Sequence, residues 1–106
     1  MDRPVFLAAF APDVPPDVRE FMADSQVPIQ LGGLTVKAKK AAWHDKPSWY
    51  LVSQDDKMIP PDVQRTFARR IKATTQEVAG SHVAYLTHPQ VAAKLIAAAA
   101  TDALSR

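Results

Sequence analysis

The chain has no cysteine. That excludes a disulfide framework, a thiolate nucleophile and thiolate metal ligands. Its histidines are His44, His82 and His88, and no H-x-H or HExxH pattern joins them. A zinc site wants three or four convergent ligands, so no metal and no cofactor is expected. Excess charge of one sign is also missing: 13 Lys and Arg against 11 Asp and Glu leave a formal charge of +2. This balance gives no argument for a nucleic-acid partner. Lys37, Lys39 and Lys40 form the one short basic cluster, and without interleaved aromatics it reads as a solvated loop. Long apolar runs are absent as well. Val91 to Ala100 is interrupted by Lys94 and falls far short of the roughly 20 residues a membrane helix needs. Met1-Asp2-Arg3-Pro4 leads into only a short apolar run with no cleavage-like polar region. Together these absences lead to the expectation of a cytoplasmic protein with no membrane partner.

What is present is ordinary globular material. The chain has 106 residues, 47% of them hydrophobic and 23% charged, enough for one domain with one core. Its organising stretch is Trp49-Tyr50-Leu51-Val52-Ser53-Gln54-Asp55-Asp56-Lys57-Met58-Ile59-Pro60-Pro61. The apolar run Trp49 to Val52 is too brief for a helix and suits a covered strand. Asp55 and Asp56 follow at its carboxyl end, where ligands and catalytic groups collect in open parallel sheets. Pro60 and Pro61 then sit where the first turn of a helix tolerates proline.

Upstream, Pro4 to Ala11 reads as a short helix with Phe6 and Phe10 on one face. Pro12 to Pro16 breaks it, and a second helix runs from about Pro16 to Ser25 with Val18, Phe21 and Met22 on one side. Gln30 to Ala42 is expected to be a loop with a short helix. Downstream, Pro61 to Lys72 is the clearest helix: Val63, Phe67 and Ile71 recur at i, i+4 and i+8, and Gln64, Arg65, Arg69 and Arg70 are expected to face away. Thr75 to Ala79 reads as a second strand, Gly80-Ser81-His82 as the turn after it, and Pro89 as the start of a last helix with a stripe of Val91, Leu95 and Ile96. Strand, helical crossover and strand make a parallel, right-handed βαβ unit, so the fold class is α/β. Trp43, Trp49 and Tyr50 are read as core residues, Tyr85 as core with pocket lining the alternative, and His44 and His88 as surface or capping residues.

Four segments carry a family resemblance: Phe21-Met22-Ala23-Asp24-Ser25-Gln26-Val27-Pro28, Lys46-Pro47-Ser48-Trp49-Tyr50-Leu51-Val52, Asp56-Lys57-Met58-Ile59-Pro60, and Gly80-Ser81-His82-Val83-Ala84-Tyr85-Leu86. In this order and spacing the chain resembles the C-terminal part of an α/β-hydrolase. It is most similar to the small-ester hydrolases that group with methylesterases, hydroxynitrile lyases and pyrethroid-hydrolysing esterases. The resemblance implies a partial α/β-hydrolase fold. Residues 1–42 would be a lid-like helical segment, and residues 43–106 a βαβα segment holding the last two strands of the sheet. It further implies Asp56 as the acid and His82 as the general base of a Ser-His-Asp triad, with Asp55 the second choice of acid.

One part of the family pattern is missing. A nucleophile elbow needs Gly-x-Ser-x-Gly or a close variant. The glycines here are Gly32, Gly33 and Gly80, and Ser25, Ser48, Ser53 and Ser81 all lack that setting. The expectation is therefore a truncated or split esterase-like segment, inactive alone, that acts on a small ester when an N-terminal hydrolase half is supplied. The alternative is a non-catalytic binding or structural module of the same descent, a homodimer paired through the edge of the Trp49–Ser53 strand. A free-standing enzyme with Ser81 as a new nucleophile ranks last, since Ser81 adjoins His82.

Overall fold

A computed structural model describes residues 1–105. Prolines punctuate it. α1 (Arg3–Val5) opens with Pro4 in its first turn and continues into a π-helical turn over Phe6–Phe10. α2 (Pro16–Asp24) begins on a proline, as do the later helices that start at Pro61 and Pro89. A first-turn proline gives up an N–H that the helix could not have used, and its fixed φ suits the helix. α3 (Leu31–Thr35) and a 3-10 turn at Ala42–His44 follow. Every residue from 24 to 40 is exposed. The expected loop with a short helix therefore carries no core.

β1 (Trp49–Ser53), α4 (Pro61–Arg70) and β2 (Thr74–Val78) form the βαβ unit. The two strands pair in parallel, from Trp49 opposite Thr74 to Ser53 opposite Val78. The second strand thus lies one residue earlier than the expected Thr75 to Ala79. α5 (Ala84–Thr87) and α6 (Pro89–Leu104) complete the chain.

The N-terminal segment is packed against the turn that follows β2. Phe6, Ala11, Val14 and Val83 form a buried cluster, flanked by Leu7, Phe10, Met22 and Ala23. Phe6 and Phe10 stack with centroids 4.7 Å apart, an offset arrangement favourable beyond the area it buries.

Two helix faces differ from expectation. In α4, Gln64 and Ala68 are buried, whereas Val63 and Phe67 are 40% and 45% exposed. The helix is rotated by about one residue, because Gln64 serves polar groups of the acidic turn that no apolar side chain could satisfy. Ala68, being small, lets the helix sit close to the strands. In α6, Val91 and Leu95 are half-buried but Ile96 is 70% exposed. Tyr85, read as core, is 55% exposed, because α5 is a single turn and presents it to a cleft.

Two residues beyond the end of α4, Lys72 is left-handed, at φ 53. The Lys72 N–H donates to the Arg69 carbonyl and the Ala73 N–H to the Ala68 carbonyl, the pairing of a Schellman cap. Glycine usually holds that position.

Candidate active site

The site is made by the turns that leave the two strands. Beyond β1, the Gln54 N–H donates to the Val78 carbonyl at 2.9 Å and the Asp55 N–H to the Gly80 carbonyl at 3.0 Å. These bonds stitch the acidic turn to the histidine turn after β2. Gly80 is required there: a Cβ on it would lie 2.9 Å from the Ala84 Cβ and 3.3 Å from His88 Nδ1.

The stitched turns bring Asp56 and His82 together. His82 Nδ1 lies 2.9 Å from Asp56 Oδ2. Asp55 is exposed and contributes only its backbone N–H, so Asp56 is the carboxylate that meets the histidine. Asp56 is 6% exposed. Its Oδ1 accepts the N–H groups of Met58 and Ile59 at 2.7 and 3.0 Å, and its Oδ2 accepts the Gln64 amide at 2.8 Å as well as the imidazole. A buried carboxylate needs such donors in place of water.

This arrangement sets the tautomer of the histidine. An ionised carboxylate can only accept, so the proton between the two side chains sits on His82 Nδ1. In the neutral ring, Nε2 then carries the lone pair. Nε2 has no partner among the described residues. The imidazole is held from the N-terminal segment by Phe10, whose ring centroid lies 4.7 Å away at 54°. Asp13 anchors the same turn by accepting the Ser81 N–H at 2.8 Å. Desolvation works against ionisation of Asp13, but the hydrogen bonds from Ser81 and neighbouring groups outweigh it and hold its carboxyl below the ordinary value.

His82, Asp56 and Gln64 open onto a cleft of about 530 Å³. Trp49, Tyr50 and Leu51 of β1 form one wall, and Leu95, Ile96 and neighbouring alanines of α6 form another. Burial pushes the Tyr50 hydroxyl up from its ordinary pKa, and the nearby Asp56 charge adds to the shift. None of the lining residues comes from residues 1–42; the segment reaches the site through Phe10. Trp49 and Tyr50 are half-buried cleft walls rather than core, and Trp43 lies elsewhere, its ring tilted against that of His44 with centroids 3.7 Å apart.

No nucleophile accompanies the pair among the described residues. Among the described residues no serine hydroxyl bonds the imidazole. The Ser81 hydroxyl is buried and directed to the Phe10 carbonyl at 3.4 Å, and Ser25 bonds the Phe21 carbonyl within its own helix. Ser53 lines the cleft from the end of β1. Sequence reasoning missed Gln64, assigned there to the solvent face of its helix. Its signal was slight: a polar residue eight positions after the acid, in the first turns of the helix that follows.

An acid and a histidine on the carboxyl-end turns of adjacent parallel strands, joined by a hydrogen bond, define an acid–histidine pair of the hydrolase type on an α/β framework. The Alpha/beta hydrolase family model matches residues 1–95, and the chain belongs to that family. No curated protein and no solved structure matches it. Among the described residues, no group of three His, Asp or Glu side chains could hold a metal ion, and no helix is long and apolar enough to cross a membrane.

Proposed function

We propose that this chain is the acid–base part of an esterase-like site, resembling the C-terminal part of the small-ester hydrolases, and that its nucleophile comes from an N-terminal hydrolase half. The observation that carries the reading is the Asp56–His82 hydrogen bond, formed with Nε2 left unpaired beside an apolar cleft. In the completed site, His82 Nε2 takes the proton of a serine hydroxyl as its oxygen bonds to the ester carbonyl carbon. Asp56 stabilises the imidazolium. The imidazolium then returns the proton to the departing alkoxide as the ester C–O bond breaks, and water repeats the sequence on the acyl-enzyme. The donors that would hold the oxyanion would come from that same N-terminal half. Tyr50, Leu51 and Leu95 supply apolar surface for a small ester.

The test is hydrolysis of p-nitrophenyl acetate by the purified chain and its His82→Ala variant, with free imidazole as reference, repeated with an N-terminal half of a family member added in trans. Turnover that exceeds imidazole only in the mixture, and collapses with His82→Ala, is the expected result. Equal rates for chain, variant and mixture would remove the catalytic reading.

One observation favours a second reading, a structural module that pairs with its own copy. The Gln54-to-Val78 and Thr74-to-Ser48 backbone bonds direct the even-numbered residues of β1 toward β2. Trp49 and Leu51 therefore present their backbone groups on the opposite edge, which no strand covers among the described residues. Sedimentation velocity decides it: a dimer supports pairing, and a monomer across the accessible concentration range rejects it.

A further inference from the structure

Gln64 lies at a junction of three polar groups. The side chain is buried, with the residue only 4% exposed. Its Oε1 accepts the Ser53 N–H at 3.1 Å, at the end of β1. Its Nε2 donates to the Ile59 carbonyl at 2.8 Å, at the close of the acidic turn, and to Asp56 Oδ2 at 2.8 Å.

The amide can take only one orientation. A backbone N–H can only donate and a backbone carbonyl can only accept, so Ser53 demands the oxygen and Ile59 demands the nitrogen. A flipped amide would lose both bonds. The side chain is thus locked by the strand end and the turn, and the remaining N–H is aimed at the acid. It shares Oδ2 with His82 Nδ1, while the Met58 and Ile59 N–H groups hold Oδ1. The backbone donors fix one end of the carboxylate, and Gln64 fixes how the other end is presented to the imidazole.

We infer that Gln64 is a positioning residue of the Asp56–His82 pair: it holds Asp56 Oδ2 in the orientation that keeps the histidine proton on Nδ1 and leaves Nε2 free to act as a base. The inference rests on the reading of Asp56 and His82 as an acid–base pair, and it adds a third side chain to that unit.

The experiment is nitrogen-15 NMR of the histidine rings, in the wild-type chain and in Gln64→Met, which keeps the length of the side chain and removes its donors and acceptor. His44 and His88 serve as internal controls. The expected result is a His82 ring protonated on Nδ1 in the wild type. In the variant the Nε2-protonated tautomer should rise roughly ten- to a hundredfold relative to the Nδ1-protonated one, the loss expected for one charge-assisted hydrogen bond. Signals of His44 and His88 should stay in place. A folded variant whose His82 spectrum matches the wild type would overturn the inference, because a merely structural glutamine leaves the tautomer alone. If Gln64→Met does not fold, the wild-type Gln64 side-chain amide decides. Two distinct, slowly exchanging protons with a nuclear Overhauser contact to the His82 Nδ1 proton support the role, and fast-exchanging, averaged protons overturn it. No ester is used in this test. A chain that never hydrolyses p-nitrophenyl acetate, even with a second half added, would sink the catalytic proposal and still leave the tautomer result readable.

Discussion

His82 Nδ1 and Asp56 Oδ2 stand 2.9 Å apart across 26 residues of sequence, and the bond between them is prepared by the backbone. The Asp55 N–H to Gly80 carbonyl bond joins their two turns before any side chain is considered. The histidine therefore has a carboxylate partner within this chain, while among the described residues no serine hydroxyl bonds its ring.

Removing the Asp56 carboxylate should cost stability. In Asp56→Ala the N–H groups of Met58 and Ile59 and the amide of Gln64 lose their acceptor. Buried donors left unpaired cost about 1–3 kcal/mol each when water cannot replace the acceptor. A net loss of about 2–4 kcal/mol is expected in urea unfolding, against under about 0.5 kcal/mol for Asp55→Ala, whose side chain is exposed. Equal losses at the two positions would contradict the geometry.

Gly80→Ala should be destabilising by about 1–3 kcal/mol, the usual range for forcing an extra methyl into a filled site. The added Cβ would meet the Ala84 Cβ at 2.9 Å, and Ala84 is itself buried. Combining it with Ala84→Gly should recover part of the loss, measured by thermal unfolding. No recovery would show that the clash lies elsewhere.

Lys72→Gly should stabilise the chain. Lys72 occupies a left-handed conformation at φ 53, which costs a residue with a Cβ roughly 1–2 kcal/mol. Glycine removes that strain but adds freedom to the unfolded chain, so a net gain of about 0.5–1 kcal/mol is expected. Lys72→Ala, which keeps the Cβ, should show no gain.

The link between α4 and β2 should fail in acid. Arg65 donates to both carboxylate oxygens of Glu77 at 2.7 Å. These bonds, with one from Gln54, lower the Glu77 carboxyl from 4.5 to about 2. A carboxyl lowered on folding adds stability that is complete above pH 4.5 and is lost as pH falls toward about 2. The stability difference between wild type and Glu77→Gln should therefore be flat near neutrality and close across that acid window. The pair faces solvent, so the difference should also shrink in about 1 M salt. A difference that is constant from neutrality to pH 2 would show that the pair is not the cause.

Local rules carried much of the architecture. Pro16, Pro61 and Pro89 announce helix starts that the structure places on those residues, because a first-turn proline acts on its own backbone. Trp49 to Ser53 is legible as a strand from its apolar run and the polar turn that follows. The order and spacing of the two strand-end turns pointed to His82 and to Asp55 or Asp56, and the family resemblance preferred Asp56; the turn geometry is what brings its carboxylate to the imidazole. Periodicity was least informative where a polar residue is buried. In α4 it selected the face of Val63 and Phe67, whereas the structure buries Gln64 and Ala68.

Composition, proline placement and the run of strand, helix and strand follow from forces that act over a few residues, and they were enough to define an α/β chain with an acid and a histidine in consecutive turns. Three things depended on the tertiary structure: the meeting of Asp56 with His82, the seating of Phe10 on the imidazole, and the capture of Gln64 by Ser53, Ile59 and Asp56. Each joins groups whose partners are chosen by burial. A polar atom withdrawn from water must bond whatever the fold brings within reach, and in these three junctions the partners lie 5 to 72 positions apart in sequence.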